Sequence, residues 1–133
     1  MNKVNKVKKE IITTLNVPAP IGPYNQAVKV GNTLYISGQI PLIPSTMELF
    51  SGTIKEEAQL VMEHLKAILE AANMTFENVV KSSIFLEDMD SFGEVNQVYG
   101  AYFDNETAPA RETVAVRTLP KNVRIEISMI AVK

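Results

Sequence analysis

The chain has 133 residues, of which 46% are hydrophobic and 21% charged, and its formal net charge is −2. This balance predicts one globular domain and excludes a disordered chain, and the absence of an apolar run of roughly 18 residues excludes a membrane-spanning helix. With no cysteine, disulfides, thiol nucleophiles and cysteine metal sites are excluded, and the single histidine leaves almost nothing for a transition-metal site or a Ser–His pair.

The first ten residues carry four lysines, Lys3, Lys6, Lys8 and Lys9. No apolar segment or cleavage site follows them, so they indicate a solvated arm (1–10) before a single domain (11–133) and not a secretory signal. Nucleic-acid binding by this arm is the alternative, but the arm is short, lacks aromatics and precedes an acidic domain. The lack of cysteine favours a reducing cytoplasm. We expect no nucleic-acid partner and no membrane partner.

The first third of the chain reads as strands and ordered loops. Lys9–Thr14 is a candidate first strand, and the three prolines of the stretch 17–23 predict a loop. Gln26–Val30 and Thr33–Ser37 flank Gly31-Asn32, a pair typical of a two-residue hairpin turn.

Two helices are predicted from capping boxes and apolar periodicity. Thr53 and Glu56 open the first helix, whose apolar stripe runs to a stop at Asn73. His64 lies off this stripe, which predicts a solvated side chain without a role. Ser91 and Glu94 repeat the capping box, and the second helix presents one apolar face: Val95, Val98, Tyr99, Tyr102 and Phe103.

Three further strands complete an α+β domain with the order β-β-β-α-β-α-β-β. Val79–Leu86 suits a central strand, and Glu112–Leu119 and Val123–Val132 are expected to form a hairpin around Pro120-Lys121. Two one-sided helices should cover one face of a mixed sheet. The last strand is also apolar on its other face, and another copy of the chain is its simplest cover, so we expect an obligate oligomer.

Two loop stretches hold polar residues in unusual backbone contexts. Tyr24 ends the stretch Ile21-Gly22-Pro23-Tyr24 and is either a half-buried anchor or a phenol held at a cleft. Ser37 and Gly38 come at a strand end, where a glycine permits close approach of a ligand but equally serves a turn or bulge.

Two charged residues lie in the last strands. Arg111 follows Pro109-Ala110 at a strand entry, where its guanidinium could grip a carboxylate in a bidentate fork or form a surface salt bridge. Glu126 lies between isoleucines and either pairs with Arg124 or serves a site. In the expected hairpin the two would be about 13 Å apart. A site using both would therefore bridge a crevice, and a crevice between subunits is one way to form it.

A set of six stretches resembles the YjgF/RidA family of imine deaminases in order and spacing. The resemblance covers about Ile11 to Val132, nearly the whole chain. The stretches are Ile21-Gly22-Pro23-Tyr24, Ser37-Gly38-Gln39-Ile40-Pro41, Phe92–Tyr99, Pro109-Ala110-Arg111, Leu119-Pro120-Lys121 and Ile125-Glu126-Ile127.

The resemblance implies a chorismate-mutase-like fold and a homotrimer with a barrel core and clefts between subunits. It implies that Arg111 grips the substrate carboxylate and that Glu126 positions the attacking water. It implies that the pocket is lined by Tyr24, Ser37, Gly38 and, from the second helix, Asn96. The family commonly has Ser and then Cys after the arginine, whereas this chain has Glu112 and Thr113. Thr113 should stand in the pocket and alter substrate preference, and Glu112 should point to the opposite face.

The activity implied is hydrolysis of 2-imino acids, such as 2-iminopropanoate and 2-iminobutanoate, to 2-keto acids and ammonia, without cofactor or metal. Two alternatives stay open. The same cleft could bind a metabolite and regulate a partner without turnover, or the chain could cleave RNA and inhibit translation, which its acidic balance and lone histidine disfavour.

Overall fold

The structure is a computed structural model that describes residues 6–133, so residues 1–5 of the predicted arm lie outside the described residues. No helix of the described part is long and apolar enough to cross a membrane. The elements in chain order are β1 (Glu10–Ile12), β2 (Ala27–Val30), β3 (Thr33–Gln39), α1 (Ile54–Ala71), β4 (Val79–Leu86), α2 (Phe92–Gly100), β5 (Ala110–Ala115) and β6 (Ile125–Val132). The predicted element order is confirmed.

The strands form one mixed sheet in the order β1-β2-β3-β6-β4-β5. All neighbours are antiparallel except β4 and β5, which run parallel and are joined through α2. The expected hairpin of the last two strands is wrong, because β4 lies between β5 and β6. The chain does turn at Pro120–Asn122, a short 3-10 helix. The connection over residues 116–124 is long enough to carry β6 past β4, and there β6 bonds both β3 and β4.

The first helix begins and ends as predicted. The Thr53 side chain accepts from the Glu56 amide and the Glu56 carboxylate accepts from the Thr53 amide, which completes the capping box. After the helix, Asn73 adopts a positive φ of 59°, a conformation that asparagine tolerates well.

The capping box predicted for the second helix is wrong. Ser91 has helical dihedrals and makes no side-chain cap hydrogen bond. A 3-10 turn, Met89–Ser91, already leads into α2, and its cap is Asp88, whose Oδ1 accepts from the Asp90 amide at 2.9 Å. A cap side chain needs an extended backbone to reach the helix amides. Asp88 has that backbone and Ser91 does not.

Both helices lie on one face of the sheet, and the core lies between the helices and the sheet. Alternate residues of the strands point into it, and the most deeply buried include Leu34, Ile84, Leu86, Ile125 and Ile127. Burying this apolar surface is the dominant favourable contribution to folding.

The opposite face of the sheet, which we call the open face, has no helix over it. Tyr35, Val114 and Val132 lie on it with 50%, 42% and 40% of their surface exposed. Contiguous exposed apolar surface on a sheet is typical of a surface that another molecule covers. The predicted oligomer therefore has a suitable surface, and its existence stays a prediction.

His64 is buried, which makes the expectation of a solvated side chain wrong. It is 3% exposed, and its Nε2 lies 2.9 Å from the carbonyl oxygen of Leu42. The loop that follows β3 folds over this side of α1, so a position outside the apolar stripe becomes interior. Burial lowers the pKa of His64 below its ordinary value of 6.5.

The buried histidine predicts an acid sensitivity of folding. Because its pKa is lowered in the folded state, the unfolded chain binds a proton more readily, and stability is lost as the pH falls below 6.5. His64→Gln keeps a donor for Leu42 but does not titrate. Between about pH 7.5 and pH 5.5, the urea midpoint of the wild type should fall more than that of His64→Gln at equal protein concentration. Parallel curves would contradict this account.

Candidate functional site

A pocket of about 330 Å³ opens where β3 and β6 lie side by side near the Pro120 turn. Four predicted site residues line it, together with three residues of the same family stretches that were given no role: Tyr24, Ser37, Gly38 and Glu126, with Ile21, Ile40 and Pro120. Most of the lining is apolar, and Glu126 is its ionisable carboxylate.

A bulge in β3 shapes the floor of this pocket. The pairing of β3 with β6 shifts register between Ile36 and Gln39, so Ser37 and Gly38 fall in the irregular stretch. Ser37 is fixed there, since its Oγ donates to the carbonyl of Asn25 at 2.5 Å and its amide donates to the carbonyl of Gln26 at 2.9 Å. Bulges re-aim side chains and end regular pairing, which is why they recur beside functional sites.

Tyr24 forms a wall of the pocket and is held by its own loop. Its amide donates to the Gly22 carbonyl at 2.8 Å, and its hydroxyl accepts from the Ile21 amide at 3.2 Å. The side chain remains 46% exposed. It is therefore both anchor and accessible phenol, the two alternatives that the sequence left open.

Glu126 has an environment unlike that of a surface carboxylate. It is half-buried, and burial raises its pKa above the ordinary 4.5. The interpretation in which Arg124 neutralises it is wrong, since Arg124 turns to α1, where it pairs with Glu57 and donates to the Gly52 carbonyl. Within residues 6–133, no side chain donates a hydrogen bond to the Glu126 carboxylate.

Gly38 makes room for that carboxylate. A Cβ built on Gly38 would lie 2.7 Å from Cδ and 2.9 Å from Oε2 of Glu126. The sequence allowed two roles for this glycine, close approach of another group or a turn or bulge. The structure shows a close approach, and the group that approaches Gly38 is the side chain of Glu126.

Arg111 lies outside this pocket, on the edge strand β5 and on the same face as the helices. Its Nη1 donates to Oδ1 of Asn96 at 2.7 Å, and its guanidinium carbon lies 4.9 Å from the ring centre of Tyr99 and 5.7 Å from that of Phe92. The alternative of a surface salt bridge is wrong for the described chain, because its two ion pairs are Lys81–Glu112 and Arg124–Glu57.

The sheet keeps Arg111 and Glu126 apart. Arg111 pairs with Ser82 of β4, which is fully buried under the helices. Glu126 pairs with Phe85, which is three residues further along β4 and therefore on the open face. Side chains of alternate residues point to opposite faces of a strand, so the two charges project in opposite directions. The spacing expected from a shared hairpin does not apply, and one chain cannot bring the two to one ligand.

Glu112 and Thr113, which depart from the family pattern, point to different faces. Glu112 lies on the open face, as predicted, and bonds Lys81 at 2.7 Å and the Ser83 hydroxyl, contacts that lower its pKa. Thr113 lies on the helix face with Arg111. Its Oγ1 is buried and finds no hydrogen-bond partner within the described chain.

The rings that contact Arg111 are not among the predicted site residues. Tyr99 is predicted on the apolar face of the second helix, and Phe92 occurs only as the first residue of the family stretch Phe92–Tyr99. The available signal was their spacing with Asn96, because residues 92, 96 and 99 fall on one side of a helix. Among residues 6–133, no group of three or more His, Cys, Asp or Glu side chains could hold a metal ion.

A family model described as Endoribonuclease L-PSP matches residues 14–133. The chain belongs to this family, the YjgF/RidA family, as the resemblance predicted. It is 51% identical over 125 residues to a RutC family protein of Pyrococcus horikoshii, covering 94% of this chain and 98% of the relative. It is 45% identical over 130 residues to the 2-iminobutanoate/2-iminopropanoate deaminase of Mus musculus, covering 98% and 96%. The crystal structure of RidA from an Antarctic Psychrobacter matches with TM-score 0.88 and 45% identity, covering 93% and 99%.

The unpaired hydroxyl of Thr113 predicts that valine is tolerated there. Thr113→Val keeps the shape and removes a buried polar atom without a partner, so the free energy of unfolding should rise by roughly 1 kcal/mol. Urea denaturation measures the change, and Thr107→Val, in the loop before β5, is the matched control. A clear loss of stability in Thr113→Val would show that the hydroxyl has a partner in solution.

The contact of Gly38 with Glu126 predicts a local effect of a single methyl group. Gly38→Ala should push the carboxylate towards solvent, so the pKa of Glu126 falls towards 4.5 in a carboxyl-carbon NMR titration. Thermal unfolding should change little, because the displaced atoms end a flexible side chain. Gly93→Ala is the control, since its Cβ would meet nothing within 4 Å. An unchanged pKa in Gly38→Ala would contradict the contact.

Proposed function

We propose that the protein hydrolyses reactive 2-imino acids, with 2-iminopropanoate and 2-iminobutanoate as substrates, to 2-keto acids and ammonia. In this proposal it acts without a cofactor as a cytoplasmic homotrimer, with each site formed between two copies. One observation carries it. Among residues 6–133, a guanidinium without a carboxylate partner lies on one face of the sheet, and a half-buried carboxylate without a cation lies on the other.

Arg111 would bind the substrate carboxylate. Its Nη1 already donates to Asn96, and in the described chain Nε and Nη2 have no acceptor. A planar guanidinium with two free donors matches a carboxylate in a two-point contact. Holding the carboxylate at two points also fixes the plane of the neighbouring C=N bond, so attack from one side is favoured.

Glu126 would act as the general base. Burial raises its pKa, which makes the carboxylate more basic than one in water, and efficient proton transfer needs such a base near the working pH. A water held by Glu126 attacks the imine carbon while its proton passes to the carboxylate. That proton goes to the nitrogen, which gives the carbinolamine. Glu126 then transfers the hydroxyl proton of the carbinolamine to its amino group, the C–N bond breaks, ammonia leaves and the oxygen remains as the keto group.

The two groups meet only if one copy presents its β5 edge to the pocket of another. The exposed apolar residues of the open face, Tyr35, Val114 and Val132, offer a surface for that contact. The 2-iminobutanoate/2-iminopropanoate deaminase of Mus musculus supports the reaction class by similarity.

RNA cleavage, suggested by the name of the family model, is disfavoured by His64. Metal-free ribonucleases commonly use accessible acid–base side chains, above all histidine. The single histidine of this chain is 3% exposed and engaged with Leu42. A regulatory protein that binds the same metabolites without turnover uses the same groups, so only a turnover assay separates it from the enzyme.

The test uses two inactive variants, Arg111→Ala and Glu126→Gln. Each alone should reduce hydrolysis of 2-iminopropanoate, generated in situ by an amino-acid oxidase and measured against trapping by semicarbazide, to the spontaneous rate. Arg117→Ala, an exposed arginine after β5, is the control and should keep activity.

Refolding the two variants together distinguishes sites shared between copies from sites within one chain. In randomly mixed cyclic oligomers, about one quarter of the shared sites combine an intact arginine with an intact glutamate, so about a quarter of wild-type activity should return. Sites within one chain would regain nothing, and that result would overturn the shared site. A wild type that binds 2-keto acids without turnover would instead favour the regulatory protein.

A further inference from the structure

We infer that Tyr99 is a positioning residue for Arg111, whose guanidinium lies on the tyrosine ring while the tyrosine hydroxyl anchors that ring to Ser82 of β4. The inference rests on the proposed function for the role of Arg111. It assigns the tyrosine to the site through the arginine and gives it no contact with substrate.

Contacts of Tyr99 connect three elements, α2, β4 and β5. The guanidinium carbon of Arg111 lies 4.9 Å from the Tyr99 ring centre, within the range of a cation–π contact. The Tyr99 hydroxyl donates to the Ser82 Oγ at 2.9 Å. Ser82 is in turn the register partner of Arg111 in the parallel pair of β4 and β5. Strand, helix and edge strand are thereby linked through one ring.

The hydroxyl of Tyr99 points to a positioning role, because a phenylalanine would fill the same space in the core without it. Tyr99 is 5% exposed and Ser82 fully buried, so each hydroxyl would lack a partner if the other were removed. Phe103 contacts the ring at 4.7 Å between centres and limits its movement. A ring held by a neighbouring ring and at its hydroxyl keeps a fixed plane, which a guanidinium stacked on it requires.

Helix α2 presents a continuous surface to the arginine. Phe92, Asn96 and Tyr99 are spaced four and three residues apart and therefore lie on one side of the helix. Asn96 fixes one nitrogen of the guanidinium, and the rings of Phe92 and Tyr99 lie at 5.7 Å and 4.9 Å. Aromatic contacts use no N–H donors, so they orient the guanidinium without consuming the groups that a carboxylate needs.

Positioning of this kind acts on affinity. A long side chain on an edge strand loses rotamer freedom when a ligand binds, and holding it beforehand reduces that loss. Loss of the ring should therefore raise KM and leave kcat close to that of the wild type. Removal of the hydroxyl alone should have a smaller effect in the same direction.

The experiment compares Tyr99→Leu, Tyr99→Phe and the core control Val95→Ala, which removes buried α2 packing without touching Arg111. We expect KM to rise about tenfold in Tyr99→Leu and about threefold in Tyr99→Phe, with kcat within a factor of about two in both. Val95→Ala should lower thermal stability and leave KM unchanged. An equal rise of KM in Val95→Ala, or none in Tyr99→Leu, would overturn the inference.

A double-mutant cycle separates action through Arg111 from an independent role. The affinity for 2-oxobutanoate, measured by calorimetry, should fall in Tyr99→Leu but not fall further when Tyr99→Leu is added to Arg111→Ala. Additive losses would overturn the inference. Because this readout is binding, it holds even if the wild type shows no turnover, so failure of the proposed function and failure of the inference give different results.

Discussion

The pairing of β5 with β4 is the constraint on which the rest of the site depends. Because β5 runs parallel to β4 and never meets β6, Arg111 reaches the helix face at the sheet edge, next to α2. Glu126, on β6 two strands inward from β5, projects from the open face. Moving either side chain to the other face of the sheet would require a shift of its whole strand by one residue in register. The separation of the two charges is thus a property of the topology and not of rotamers.

The two halves of the site are built in contrasting ways. The arginine half is organised by contacts, since an amide oxygen and two aromatic rings surround the guanidinium. Around Glu126, by contrast, a strand bulge, a glycine and apolar neighbours surround the carboxylate, and no cation of residues 6–133 pairs with it. Leaving a half-buried carboxylate unpaired lowers stability. Such local costs are common where a group must stay reactive.

The sequence predicted the elements and their order because periodicity and turn residues are local signals. The capping box of Thr53, the hairpin at Gly31-Asn32 and the central strand at 79–86 are confirmed. One failure is local, since Ser91 does not cap α2 because a 3-10 turn already leads into that helix. The other failures concern non-local contacts. His64 is buried by a loop distant in sequence, and β5 pairs with a strand reached through a helix and not with its successor. Family motifs located Tyr24, Ser37, Gly38 and Glu126 correctly as neighbours, although no periodicity could have joined them.

The short distance between Gly38 and Glu126 has a consequence for the evolution of the fold. A side chain at position 38 would overlap the carboxylate in its present place, so a substitution of the glycine must displace Glu126. Once the carboxylate is lost, the glycine is released and larger residues become acceptable. The two positions should therefore covary, and a relative with a bulky residue at the glycine's place has abandoned the carboxylate's chemistry, whatever the rest of its sequence retains.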